Sequence, residues 1–246
     1  MAGLNLVTLA RIAADTYGPP CSIHGLVGEW YVQDKKEEDN FLARSYVSLK
    51  GNLMVVAIRG SANWKDGVIA DLGAIGLALN SLALKLDAAI EFTSGNKYKN
   101  NTCWLVGHSL GGAYVQMLAA ICELPGTTFN APGVLSLLNQ MSPNAVVRLA
   151  GAVGGGAMSV LSHGISDYFN QAAAAMEDTA FQAVQNFRGN MDPVSLIGSH
   201  VGMPLQTLHL KDQSPHPHSM MAILRTIDPG AQAGVEPLIG PATRYA

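Results

Sequence analysis

Ten residues, Leu105-Val106-Gly107-His108-Ser109-Leu110-Gly111-Gly112-Ala113-Tyr114, constrain this chain more than any others. They set a Gly-x-Ser-x-Gly pentapeptide between a short apolar run, Thr102 to Val106, and a run of helical character, Gly112 to Cys122. The predicted context is strand, sharp turn, helix. Gly107 and Gly111 carry no Cβ to clash where the strand doubles back, so Ser109 can be held in a strained conformation with its Oγ presented at the strand tip. The helix start also turns backbone N–H groups, that of Leu110 foremost, toward any anion that forms beside the serine.

The rest of the sequence predicts an α/β chain. Leu6, Leu9, Ala10 and Ala13 share one face of a first helix, which Gly18-Pro19-Pro20 ends. Strands are expected at Glu29–Val32, Leu42–Leu49 and Leu53–Ile58, with the charged tract Asp34 to Asn40 read as a solvated hairpin loop. Leu82, Leu86, Ala89 and Ile90 have helical spacing ahead of the Ser109 strand. Thr127 to Phe129, Ala183–Phe187 and Gln206–Leu210 read as later strands, and a last helix is expected from about His218 to Ile227. Strands alternating with helices imply a mostly parallel sheet covered on both faces, with chemistry at the carboxyl ends of its strands. At 246 residues, one domain spanning 1–246 is the simplest organisation. The interval 134–182 breaks the rhythm, being rich in Ala, Gly and Ser, and is read as a helical insertion.

Charge narrows the function classes. The formal net charge is −3 and no stretch concentrates Lys and Arg, so nucleic acid is not an expected partner. Hydrophobic residues reach 48% against 13% charged, which points to a large core or to exposed apolar surface. Cys21, Cys103 and Cys122 cannot all pair and imply no disulfide framework. The first residues lack a basic segment and Arg11 interrupts their apolar run. The expectation is therefore a cytoplasmic protein, or one secreted without a recognisable signal peptide.

A serine hydroxyl is a weak nucleophile at neutral pH and needs a base within hydrogen-bond reach, itself oriented by an acid. In folds that use such an elbow, the acid and then the histidine follow the serine along the chain. Asp192 is the favoured acid, because it stands in a polar loop just past a predicted strand and is stiffened by Pro193. Asp167, Glu177, Asp178, Asp212 and Asp228 are weaker candidates. His218 is the favoured base, since it lies where a loop meets the last helix; His216 is the alternative, ahead of His163, His200 and His209. His108 adjoins Ser109, yet the turn should send its side chain elsewhere. The His216-x-His218 pair has no third ligand at recognisable spacing, so neither a metal nor an organic cofactor is expected.

The elbow, Val56-Ala57-Ile58-Arg59-Gly60-Ser61 with Trp64 and Asp71-Leu72 behind it, Thr128-Phe129-Asn130-Ala131-Pro132-Gly133, Asn190-Met191-Asp192-Pro193-Val194 and His218-Ser219-Met220 together resemble the class 3 lipases, a branch of the α/β-hydrolases. The resemblance runs from about Val55 to Leu224, outside the insertion. It implies an α/β-hydrolase fold and a second oxyanion donor at Ser61, beside Leu110. It also implies a lid just after that turn, at residues 62–80, where Trp64, Val68, Ile69 and Leu72 supply apolar cover. The insertion is a second lid candidate.

The reading is a serine hydrolase of lipid carboxylic esters, with Ser109, His218 and Asp192 as the triad and transient contact with a lipid interface. A phospholipase, such as a bacterial effector delivered into another cell, is the alternative within enzymes. A binding protein that keeps the fold without catalysis is the alternative from another class, and the intact Ser-Asp-His order argues against it.

Overall fold

The structure, a computed structural model, describes residues 4–18, 30–38, 41–49, 53–61, 72–97, 102–122, 124–134, 183–210 and 217–228, with the backbone alone at 72–84 and 120–121. Seven strands form one sheet in sequential order, β1 (Trp30–Glu38), β2 (Phe41–Ser48), β3 (Leu53–Ile58), β4 (Thr102–His108), β5 (Gly126–Phe129), β6 (Val184–Gly189) and β7 (Gln206–Leu208). The first three are antiparallel, and every pairing from β3 onward is parallel. Helices α1 (Leu6–Asp15), α2 (Leu72–Lys97), α3 (Leu110–Cys122) and α4 (Met220–Ile227) pack on the sheet. This is the expected mostly parallel α/β arrangement, an α/β-hydrolase fold.

The period-two alternation of the strands divides the core into two layers. Met54, Val56, Ile58, Cys103 and Leu105 point to one face, where they meet Leu86, Ala89 and Ile90 of α2 and Ala113, Val115, Met117 and Leu118 of α3. Val55, Ala57, Val106, Phe129 and Phe187 point to the other, against Leu9, Ile12 and Ala13 of α1 and Met220, Ile223 and Leu224 of α4. Central strands such as β3 are therefore buried on both sides, which accounts for their unbroken apolar runs.

Three sequence expectations need correction. Asp34 to Glu38 of the charged tract are strand and not loop: they continue β1, paired with Phe41 to Ser45 of β2 past a bulge between Val32 and Asp34, while Asp39 and Asn40 lie outside the described residues. Its lysines and glutamates sit on an edge strand, where charge is tolerated and discourages pairing with another sheet. The helix after the elbow starts at Leu110, two residues before the expected Gly112, because Ser109 itself makes the turn. The last helix starts at Met220, since the Ser219 Oγ accepts the Met221 N–H (3.2 Å) as an N-cap and leaves His218 outside the helix. Residues 135–182 of the insertion and 62–71 of the other lid candidate lie outside the described residues, while 72–80 form the first turns of α2.

The end of α1 is anchored to β2. Buried Arg44 donates from Nη1 to the Asp15 carbonyl (2.6 Å) and from Nη2 to the Gly18 carbonyl (2.7 Å), and the Tyr46 hydroxyl donates to Asp15 Oδ2 (2.6 Å). Those bonds hold both ends of the segment Asp15 to Gly18, which carries Tyr17. Among the described residues, no helix is long and apolar enough to cross a membrane.

Candidate active site

Ser109 is one of two described non-glycine residues with left-handed backbone, at φ 57°. Its N–H donates to the Phe129 carbonyl (2.9 Å), and its own carbonyl accepts from the Gly112 N–H (2.9 Å). The tight turn explains both glycines. A Cβ on Gly107 would lie 2.4 Å from the Gly111 carbonyl oxygen, and one on Gly111 would lie 2.1 Å from the Ile58 carbonyl oxygen. Either contact is far inside van der Waals range, so only glycine lets α3 leave the sheet at this angle.

The structure brings together the three residues singled out for nucleophile, base and acid. His218 Nε2 lies 2.8 Å from Ser109 Oγ, and His218 Nδ1 lies 2.8 Å from Asp192 Oδ1. All three are buried. Asp192 follows β6 in a turn whose backbone closes on its carboxylate, with N–H donors from Ser195 to Oδ2 (3.0 Å) and from Val194 to Oδ1 (3.3 Å). Burial opposes ionisation of Asp192, but hydrogen bonds from His218 and Ser195 outweigh it and hold the carboxyl below its ordinary value. An ionised carboxylate only accepts, so Nδ1 of His218 carries the proton; Nε2 of the neutral ring is then the acceptor for the serine O–H.

The Gly60–Ser61 turn is pressed against the serine, since a Cβ on Gly60 would fall 2.9 Å from Ser109 Cβ and 2.7 Å from the His108 carbonyl oxygen. Leu110 is the first residue of α3 and so has no carbonyl four places back within the helix for its N–H. The other histidines are elsewhere. His200 donates from Nε2 to the Ala131 carbonyl (2.9 Å); His209 lies just past β7; His163 and His216 fall outside the described residues. Of the weaker acids, Asp228 is paired with Arg11 between α4 and α1, whereas Asp167, Glu177, Asp178 and Asp212 are outside the described residues. Among the described residues, no three His, Cys, Asp or Glu side chains gather as metal ligands would. Cys103 and Cys122 are buried free thiols, and burial pushes Cys103 up to about 12.

Comparison with known proteins decides the family. A model of the Tle-like phospholipase domain matches residues 22–200, a span that takes in Ser61, Ser109 and Asp192 and stops short of His218. The chain belongs to the Tle-like phospholipase domain family. Its activity is hydrolysis of lipid carboxylic esters. The fold of this family member is shared with MDLA from Penicillium cyclopium, solved in a mutant form, at 15% identity and TM-score 0.52 over 85% of this chain and 80% of that one. A fungal lipase structure matches similarly, with 14% identity, TM-score 0.52 and the same coverages. No curated protein matches in sequence.

Sequence reasoning missed a buried set of side chains behind the site. His108 does point away from the serine's reactive side, as expected, but it reaches the His218 carbonyl through Nε2 (2.7 Å) and the Tyr17 hydroxyl through Nδ1 (2.6 Å). The Tyr17 hydroxyl also accepts the Gly60 N–H (3.1 Å). Asn130, the second residue with left-handed backbone (φ 48°), accepts the Gly189 N–H at Oδ1 (2.7 Å) and donates from Nδ2 to the Pro217 carbonyl (3.2 Å). The one signal in the sequence was Asn130 itself, a residue that tolerates such backbone, directly after a strand.

Proposed function

We propose that this Tle-like phospholipase domain hydrolyses the acyl esters of phospholipids with Ser109 as nucleophile, His218 as general base and then acid, and Asp192 as the orienting carboxylate. The observation that carries the reading is the continuous hydrogen-bonded chain from Ser109 Oγ through His218 to Asp192, on a serine held in left-handed backbone at the carboxyl end of a parallel strand.

Ser109 Oγ attacks the ester carbonyl carbon while its proton passes to His218 Nε2, and the Asp192 carboxylate stabilises the imidazolium that forms. The carbonyl oxygen becomes an oxyanion between the backbone N–H groups of Leu110, at the start of α3, and of Ser61, on the turn packed against Ser109. Collapse of this intermediate releases the alcohol, which takes the proton from His218. Water then attacks the acyl-enzyme, its proton going to the same nitrogen, and the fatty acid leaves as Ser109 regains its hydrogen. The phospholipid preference is supported by the family's description, and the lipid-ester chemistry by the family and the fold.

The test is fatty-acid release from phosphatidylcholine and phosphatidylethanolamine vesicles, from a triacylglycerol emulsion and from a short p-nitrophenyl ester. Phospholipid turnover well above triacylglycerol turnover is expected. The opposite ranking would contradict the phospholipid assignment while leaving ester hydrolysis standing.

A further inference from the structure

The base is held by more than its own side chain. Two consecutive backbone carbonyls, those of Pro217 and His218, are gripped by side chains from two different strand ends: Asn130 Nδ2 at the first (3.2 Å) and His108 Nε2 at the second (2.7 Å). Hydrogen-bond chemistry fixes the direction of every link. A carbonyl oxygen only accepts, so His108 Nε2 is protonated. Burial and the neighbouring His218 ring push His108 down to about 3, which keeps the ring neutral and makes Nδ1 an acceptor. The Tyr17 O–H must therefore donate to Nδ1, and the Tyr17 oxygen is left to accept the Gly60 N–H. Likewise Asn130 must present its oxygen to the Gly189 N–H and its amide N–H to Pro217. The rings of His108 and His218 also pack with centroids 4.9 Å apart.

We propose that His108 and Asn130 are positioning residues that clamp the backbone of the general base, with Tyr17 setting the His108 tautomer and tying the same network to the Gly60–Ser61 turn. The clamp joins four parts of the site that are distant in sequence. His108 brings the elbow strand, Asn130 brings β5 and, through Gly189, the strand that leads to Asp192, and Tyr17 brings the end of α1. Ser219 caps α4 on one side of His218, and the two side chains grip the backbone on the other. Productive geometry tolerates little drift, because misplacing a reacting group by about 1 Å can cost on the order of a hundredfold in rate.

This proposal rests on Ser109 and His218 acting as described above, and the experiment separates the two. Full-length wild type, Ser109→Ala, Tyr17→Phe, His108→Leu, His108→Gln and Asn130→Asp are compared for kcat and KM on a p-nitrophenyl ester. The low-field proton NMR signal of the His218 Nδ1–H is recorded for each. His108→Leu removes the donor and is expected to lower kcat about 10- to 100-fold with KM within about twofold. His108→Gln restores an N–H at the carbonyl and is expected to recover most of that loss. Asn130→Asp keeps the acceptor for Gly189 and loses the donor to Pro217, so kcat should fall while the acid loop stays in place. In each impaired variant the low-field signal should broaden or shift. Should His108→Leu not fold, Tyr17→Phe against wild type decides, with a kcat loss of about threefold or more expected from the freed tautomer. Folded variants with kcat within about twofold of wild type and an unmoved signal would overturn the clamp. Retained turnover in Ser109→Ala would instead overturn the nucleophile assignment on which it rests.

Discussion

The two faces of the sheet are similar in chemistry and different in duty. On the α2 and α3 side, buried apolar residues of the strands meet buried apolar residues of two long helices; the buried Gln116 of α3 bonds the Pro132 carbonyl and the Val201 N–H, and α3 starts directly after Ser109. On the α1 and α4 side the helices are shorter, and the layer is threaded by polar contacts: Arg44 and Tyr46 at Asp15, Tyr17 at His108, His108 at His218, and the pair Arg11–Asp228. One face delivers Ser109 and the other delivers His218, the proposed base. They meet over the carboxyl ends of β4, β5 and β6, so the reactive geometry depends on how well two independent layers are registered on one sheet. Apolar packing alone is non-directional and tolerates sliding, whereas hydrogen bonds of fixed length and angle do not.

The comparison can be broken first at the seam. Asp192→Asn should leave the fold intact and lower kcat about 10⁴-fold, because the amide stabilises the wrong His218 tautomer. A loss below about tenfold would mean that Asp192 does not orient the base. Next, the faces can be weakened separately. Ile223 of α4 and Leu86 of α2 are both buried, and truncating either to Ala should cost about 2–5 kcal/mol in chemical denaturation. Only Ile223→Ala should also depress kcat of the folded protein, since α4 starts beside His218; equal effects of the two on kcat would erase the functional distinction between the faces.

A further expected effect is a pH dependence that belongs to the α1 and α4 side. His108 is held near 3, below the ordinary value of about 6.5 that it regains on unfolding. The unfolded chain thus binds a proton that the folded chain refuses. Stability should fall as pH drops below about 6.5, by about 1.4 kcal/mol per unit for this one site, until His108 itself protonates near 3. His200, lowered by burial, adds to the same slope. Asp192 has the opposite folded-state preference, charged rather than neutral: its depressed value adds stability above the unfolded carboxylate value of about 4, which is lost as pH falls further. Denaturation at pH 7, 6, 5 and 4 should show a shallower fall for His108→Gln than for wild type, and parallel curves would remove His108 as the source.

How much of this was legible in the sequence follows from how local each signal is. The meeting of Ser109, Asp192 and His218 was expected because each sits at a junction between element and loop, where glycine, proline or a capping residue marks the chain. The central strands β3 and β4 were legible through their apolar runs. The β1–β2 hairpin was misjudged because Asp34 to Glu38 have the composition of a loop, and only pairing with β2, which is not local, holds them extended. Tyr17 and His108 are ordinary residues, and Asn130 signals only a turn, until folding brings together positions separated along the chain by up to 110 residues, as His108 and His218 are. No periodicity or turn signature encodes such a bond.

The central claim is that one serine, activated across the two faces, hydrolyses lipid esters. The most direct test is fatty-acid release from phospholipid vesicles by wild type and by Ser109→Ala, with circular dichroism and melting curves to show that both are folded. The account predicts steady release by wild type and a loss of about five to six orders of magnitude in the variant, to the limit of detection. Release by folded Ser109→Ala at a rate near that of wild type would contradict it.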